Sequence, residues 1–75
     1  MPHVIVKALP KSEEQKKRLA EAITRSVTEI FDYERDQVSV AIEDVPQERW
    51  KEDVYLPEIA QADPSTLYKT PGYEL

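Results

Sequence analysis

Cysteine is absent from the 75 residues, glycine occurs once, and histidine and tryptophan occur once each. Without cysteine there is no disulfide framework, no Cys-based metal site and no Cys–His nucleophilic pair. One glycine cannot make a Gly-rich phosphate loop. Ser12, Ser26, Ser39 and Ser65 have only His3 to serve as a base. A metal site would have to be almost all carboxylate, and no spacing marks one. No apolar run approaches the roughly 20 residues of a membrane span. The N-terminus carries neither the apolar h-region nor the small-residue cleavage site of a signal peptide. A cytoplasmic location is therefore the default expectation, with no membrane partner.

Charge and length narrow the reading further. Fifteen acidic residues against ten basic give a net charge of −5, which disfavours a phosphate-backbone footprint and hence a nucleic-acid partner. The only basic cluster, Lys16-Lys17-Arg18, is flanked by Glu13, Glu14 and Glu21 and reads as a solvated helix face. A chain this short is one domain at most and buries only about 60% of the surface its unfolded form exposes. Small scaffolds without disulfides or metals usually lean on oligomerisation, so a homo-oligomer is expected.

The pattern predicts an α/β (α+β) single domain over 1–75, with one β-α-β unit. A strand is expected over about 2–9, where Pro2, Val4, Val6 and Ala8 alternate with His3, Ile5, Lys7 and Leu9. Pro2 fits the first strand position, where a missing N–H does little harm, and Pro10 ends the strand. A helix is expected over about 12–32. Ser12 and Gln15 match a capping box, and Leu19, Ile23, Val27 and Phe31 recur every four residues. A second strand is expected over about 38–44, with Val38, Val40 and Ile42 on one face. A helical crossover makes the two strands parallel and the connection right-handed. Two strands and a helix do not suffice alone. Pairing with a copy of itself would give a four-stranded sheet with two helices on one face. The tail, 45–75, reads as irregular, with a turn opened by Pro46 and short helices near 53–62 and 64–69, the second capped by Asp63.

Met1-Pro2 stands out chemically. A small residue at position 2 permits removal of the initiator methionine, which would turn Pro2 into a secondary amine. Burial in an apolar pocket or a nearby cation lowers the pKa of such an amine. A neutral amine near pH 7 is a competent general base, and the chain offers no other plausible one.

These stretches resemble the tautomerase superfamily, whose best-known member is 4-oxalocrotonate tautomerase. The matching residues are Pro2-His3-Val4-Ile5-Val6, Lys11-Ser12-Glu13-Glu14-Gln15-Lys16, Val38-Ser39-Val40-Ala41-Ile42-Glu43 and Trp50. The tail Leu67-Tyr68-Lys69-Thr70-Pro71-Gly72-Tyr73 is similar to that of a longer, dimeric bacterial branch associated with phenylpyruvate-type enol–keto tautomerisation. The resemblance implies a cofactor-free isomerase acting on a small 2-oxo or enol acid, assembled as a homodimer, with a hexamer as the alternative. It makes Pro2 the catalytic base and Lys11, Ser39 and Trp50 the substrate-binding positions. Lys11 stands where the family usually has an arginine for the substrate carboxylate, and lysine keeps the charge but loses the bidentate fork. Ser39 stands where dicarboxylate-processing members carry another arginine, which points to a monocarboxylate such as an arylpyruvate enol. Trp50 would be the aromatic wall of the pocket or an anchor for the tail, and one ring can serve as both. Arg35, Arg49 and Lys69 are further candidates for the missing cation. A lone strand histidine such as His3 reads as structural. The rival readings are a hydratase or decarboxylase using the same amine on unsaturated acids, and a non-catalytic oligomeric module.

Overall fold

The computed structural model describes the whole chain, Met1–Leu75. It falls into two compact units, Met1–Asp44 and Val45–Leu75. The first is the expected β-α-β unit. Strand β1 (His3–Ala8) is followed by helix α1 (Glu13–Phe31), a 3-10 turn (Arg35–Gln37) and strand β2 (Ser39–Asp44). The strands pair in parallel, from His3 opposite Ser39 to Ala8 opposite Asp44.

Helix α1 begins where its capping chemistry places it. The Ser12 hydroxyl accepts from the Gln15 N–H at 3.1 Å, and the Gln15 side chain accepts from the Ser12 N–H at 3.1 Å. Two of the four orphan N–H groups of the first turn are thereby satisfied. Its end is set by Asp32, which takes the left-handed conformation at φ 61°. That cost is small for aspartate among non-glycine residues. Beyond it, Arg35 makes two hydrogen bonds to the Glu21 carboxylate, at 3.1 and 2.9 Å. They tie the turn back to the helix.

The face of the sheet beneath α1 carries the alternating apolar set. Val6, Ala8 and Ile42 share a cavity with Gln15, Lys16 and Leu19 of the helix. Lys16 also reaches Asp44 at the end of β2, at 2.9 Å. The opposite face presents His3, Ile5 and Lys7 beside Ser39, Ala41 and Glu43. No residue of the first unit is fully buried. Ile5 stays 52% exposed, and Ile30 and Phe31, near the end of α1, stay 77% and 66% exposed.

The second unit is more regular than the sequence suggests. A short helix α2 (Gln47–Trp50) runs directly into a π-helical segment (Lys51–Ala60) that contains Pro57. Proline cannot donate to the helical ladder, and the segment closes with an i→i−5 bond from the Gln61 N–H to the Leu56 carbonyl at 3.1 Å. The single helix expected near 53–62 thus begins earlier. The helix expected over 64–69 does not form. The Asp63 carboxylate instead accepts from both the N–H and the hydroxyl of Ser65, at 2.9 Å each. This is a side-chain-mediated turn that competes with helix initiation. Those bonds also hold the Asp63 carboxyl below its ordinary pKa, the backbone N–H acting most strongly. Val54 and Tyr55 are buried in this unit. No helix of the protein is long and apolar enough to cross a membrane.

Candidate active site

Pro2 lies immediately before β1, and its carbonyl accepts from the Ser39 N–H at 3.2 Å. The first residue of β2 therefore holds Pro2 by its carbonyl and leaves the nitrogen end of the ring free of any ladder. Pro2 is half-buried, whereas Met1 before it is 91% exposed. While Met1 is attached, the Pro2 nitrogen belongs to an amide and has no basic lone pair. A basic amine exists at Pro2 only once that bond has been cleaved.

Ser39 has a second partner. Its hydroxyl lies 2.6 Å from Nδ1 of His3, its register partner across the sheet. Pro2, His3 and Ser39 thus form one cluster at the N-terminal end of both strands.

Lys11 lies elsewhere. It follows β1 by three residues, whereas Pro2 precedes it. At about 3.3 Å per residue, β1 alone separates the two by roughly 17 Å. Pro2 and Lys11 thus lie toward opposite ends of β1. Lys11 lines a cavity of about 110 Å³ with Val6, Ala8 and Leu19. This is below the roughly 300–1,000 Å³ of ordinary ligand pockets.

Ion pairing sorts the candidate cations. Arg35 is committed to Glu21. Arg49 is committed to Asp53 at 2.7 Å and to Glu52 at 3.6 Å. Lys16, near Lys11 in the chain, is held by Asp44 and by Glu13. The hydrogen bond to Asp44 raises the Lys16 ammonium above its ordinary pKa, with the charges of Asp44 and Glu13 adding to it. Lys11 and Lys69 are exposed and carry no such partner. Of the four cations weighed from the sequence, only these two are free to meet an anion.

Trp50 belongs to the second unit. Its indole N–H donates to the Tyr73 hydroxyl at 3.0 Å. The Tyr73 ring lies 5.7 Å from that of Tyr55, tilted by 35°. Trp50 is therefore an anchor for the tail.

The His3–Ser39 contact is the feature that sequence reasoning missed. Its signal was available only after the strand register was known, because the two residues are 36 positions apart.

Comparison with known proteins identifies the family. The family model for the tautomerase enzymes matches residues 2–54, from Pro2 through β2 and into the π-helical segment. A protein named tautomerase PptA from Pectobacterium atrosepticum is 43% identical over 97% of both chains. A probable tautomerase from Xylella fastidiosa is 40% identical, over 97% of this chain and 89% of its own. Among solved structures, one from a study of the 4-oxalocrotonate tautomerase isozymes of Methylibium petroleiphilum superposes with a TM-score of 0.63. It is 32% identical and covers 65% of this chain and 81% of its own. Near-complete coverage by sequence, the same β-α-β topology and the Pro2 start of the matched region lead to one conclusion: the chain belongs to the tautomerase family.

Proposed function

We propose that this protein is a cofactor-free isomerase that interconverts the enol and keto forms of a 2-oxo acid, with the Pro2 amine as general base. The substrate class is a monocarboxylate such as an arylpyruvate. The observation that carries the reading is the placement of Pro2. It heads β1, is fixed through its carbonyl by Ser39, and becomes a free secondary amine when Met1 leaves.

In the ketonising direction the C2 hydroxyl gives up its proton, the C2–C3 π electrons close on C3, and C3 gains a proton. The Pro2 amine takes the first proton and the resulting ammonium supplies the second. The enolate passed through on the way needs a positive charge beside it. Lys11, one of the two free cations, supplies it in this reading, and the separation along β1 supports drawing it from a second copy. An antiparallel pairing of β1 with β1 of that copy sets each Lys11 end beside the other Pro2 end. The same pairing extends the two-stranded sheet to four strands with both helices on one face. A homodimer is its minimal form, and a hexamer would be built from such pairs. The open strand edges and the exposed Ile5 support the assembly. Trp50 fixes the tail, and the family resemblance gives its ring the role of the pocket's aromatic wall. The whole chain, 1–75, acts as one domain. The tautomerase PptA relatives cover it nearly end to end while the 4-oxalocrotonate tautomerase structure covers 65% of it, which favours the longer branch.

The test is the rate of phenylpyruvate enol ketonisation for the Met1-free protein and for Pro2→Ala. Loss of a positioned general base lowers the rate by about 10²–10⁴-fold. Equal rates would overturn the mechanism. Product analysis with unsaturated acids distinguishes tautomerisation from hydration or decarboxylation on the same amine.

A further inference from the structure

Two polar side chains beside Pro2 have no role in the proton transfer just described, yet they are joined. His3 and Ser39 start the two parallel strands, face the side of the sheet away from α1, and meet at 2.6 Å through Nδ1 and Oγ. A serine hydroxyl can donate one hydrogen bond and accept two. It therefore satisfies Nδ1 whether that nitrogen is bare or protonated. With the hydroxyl donating to Nδ1, a neutral imidazole carries its hydrogen on Nε2. With Nδ1 protonated in the imidazolium, the hydroxyl accepts, and Nε2 again carries a hydrogen. Both states compatible with an approaching anion present the same outward donor, Nε2–H. Ser39 is itself held in place, because its N–H is bound to the Pro2 carbonyl. One residue thereby fixes the base by its main chain and the imidazole by its side chain.

We propose that His3 is the contact for the substrate carboxylate at the Pro2 site, and that Ser39 is its positioning residue. The inference rests on the tautomerase reading above and adds to it the group that orients the acid. His3 and Pro2 are consecutive, with Cα atoms about 3.8 Å apart. In a 2-oxo acid the carboxyl carbon is two bonds from the carbon that gains the proton. A carboxylate held by His3 Nε2–H is thus bound one residue along the chain from the Pro2 nitrogen. The serine on β2 supplies no charge of its own, so the pair accounts for recognition of one carboxylate and not two.

The test is equilibrium binding of 3-phenylpropanoate, which has no 2-oxo group to enolise, beside its uncharged methyl ester. The wild-type protein binds the acid more tightly than the ester. His3→Phe lowers affinity for the acid by about tenfold, the usual scale of a hydrogen bond to a charged group, and leaves the ester within a factor of about two. Ser39→Ala lowers it by roughly threefold, because the imidazole is kept but no longer fixed. His3→Gln, whose amide offers an N–H in the same region, recovers most of the loss. His3 is the only histidine, so its ring resonances in the wild-type protein are assignable without variants, and the Nε2 signal moves on adding the acid and not the ester. An unmoved signal, equal binding of acid and ester by the wild type, or unchanged acid binding in His3→Phe would each overturn the proposal. Pro2→Ala keeps the preference for the acid. Should ketonisation prove independent of Pro2, the tautomerase mechanism falls while the acid-against-ester comparison still decides the role of His3.

Discussion

The Pro2 nitrogen changes its chemistry with a single bond. As an amide it is not basic, and as a terminal amine in a dry site it is a base at neutral pH. The active fraction is therefore expected to lack Met1 by intact mass, and protein that keeps Met1 should ketonise no faster than Pro2→Ala. Lys11 is the second residue on which the proposed mechanism makes the rate depend. Lys11→Ala removes the charge that steadies the enolate and should lower kcat/KM by about 10²-fold, the scale for loss of one such electrostatic contact. Lys11→Arg keeps the charge, adds a planar fork of donors, and should hold or raise the rate. Full activity in Lys11→Ala would transfer the role to Lys69, the other unpaired cation of the four weighed. The site was unevenly legible in the sequence. Pro2 stood out because a proline at position 2 is a local feature, whereas Lys11 entered only through the family resemblance. The His3–Ser39 pair did not, because a contact across 36 residues depends on register.

The elements form where local chemistry and periodicity agree. Ser12 and Gln15 fix the start of α1 reciprocally, so Ser12→Ala should destabilise the protein by about 1 kcal/mol in a denaturant titration. At the other end Asp32 holds a conformation that suits glycine, and Asp32→Gly should stabilise by several tenths of a kcal/mol or more, up to about 1. A loss of stability there would mean that the Asp32 side chain has a role beyond the cap. The bond from Arg35, with its charge, holds the Glu21 carboxyl below its ordinary value of 4.5. A carboxyl with a lowered folded pKa stabilises above its unfolded value and loses that contribution as the pH falls through the folded one. Glu21→Gln should therefore flatten the acid limb of the stability profile below about pH 4.5 and leave the region near pH 7 to 9 parallel to wild type. Since both groups are exposed, the effect is a change of slope and not a collapse. The β-α-β unit was readable because alternation, a four-residue stripe and a capping box each occur without conflict. The tail was not. The Asp63 carboxylate closes a turn onto Ser65 where a helix cap was expected, and the π-helical run through Pro57 follows no short-range signal.

At the scale of the molecule, the first unit raises a problem that one chain does not solve. Its sheet has two strands, both with a free edge, and none of its residues is fully buried. A two-stranded pair is marginal in water, and unpaired edges invite another strand. The proposed site has a matching incompleteness, since Pro2 and Lys11 lie beyond opposite ends of β1. One operation resolves both, a two-fold pairing that lays β1 of one copy antiparallel to β1 of the other. It predicts complementation between inactive proteins. Pro2→Ala lacks the base but keeps Lys11, and Lys11→Ala lacks the cation but keeps the base. Unfolding the two together and refolding them at equal concentration gives hybrids in which one site of two holds an intact Pro2 facing an intact Lys11. With random pairing half the dimers are hybrids, so the mixture should recover about a quarter of the wild-type rate. Each protein refolded alone should stay at its own low rate. If Lys11 served the Pro2 of its own chain, every hybrid would contain only damaged sites, and the mixture would show no more than the average of its parts.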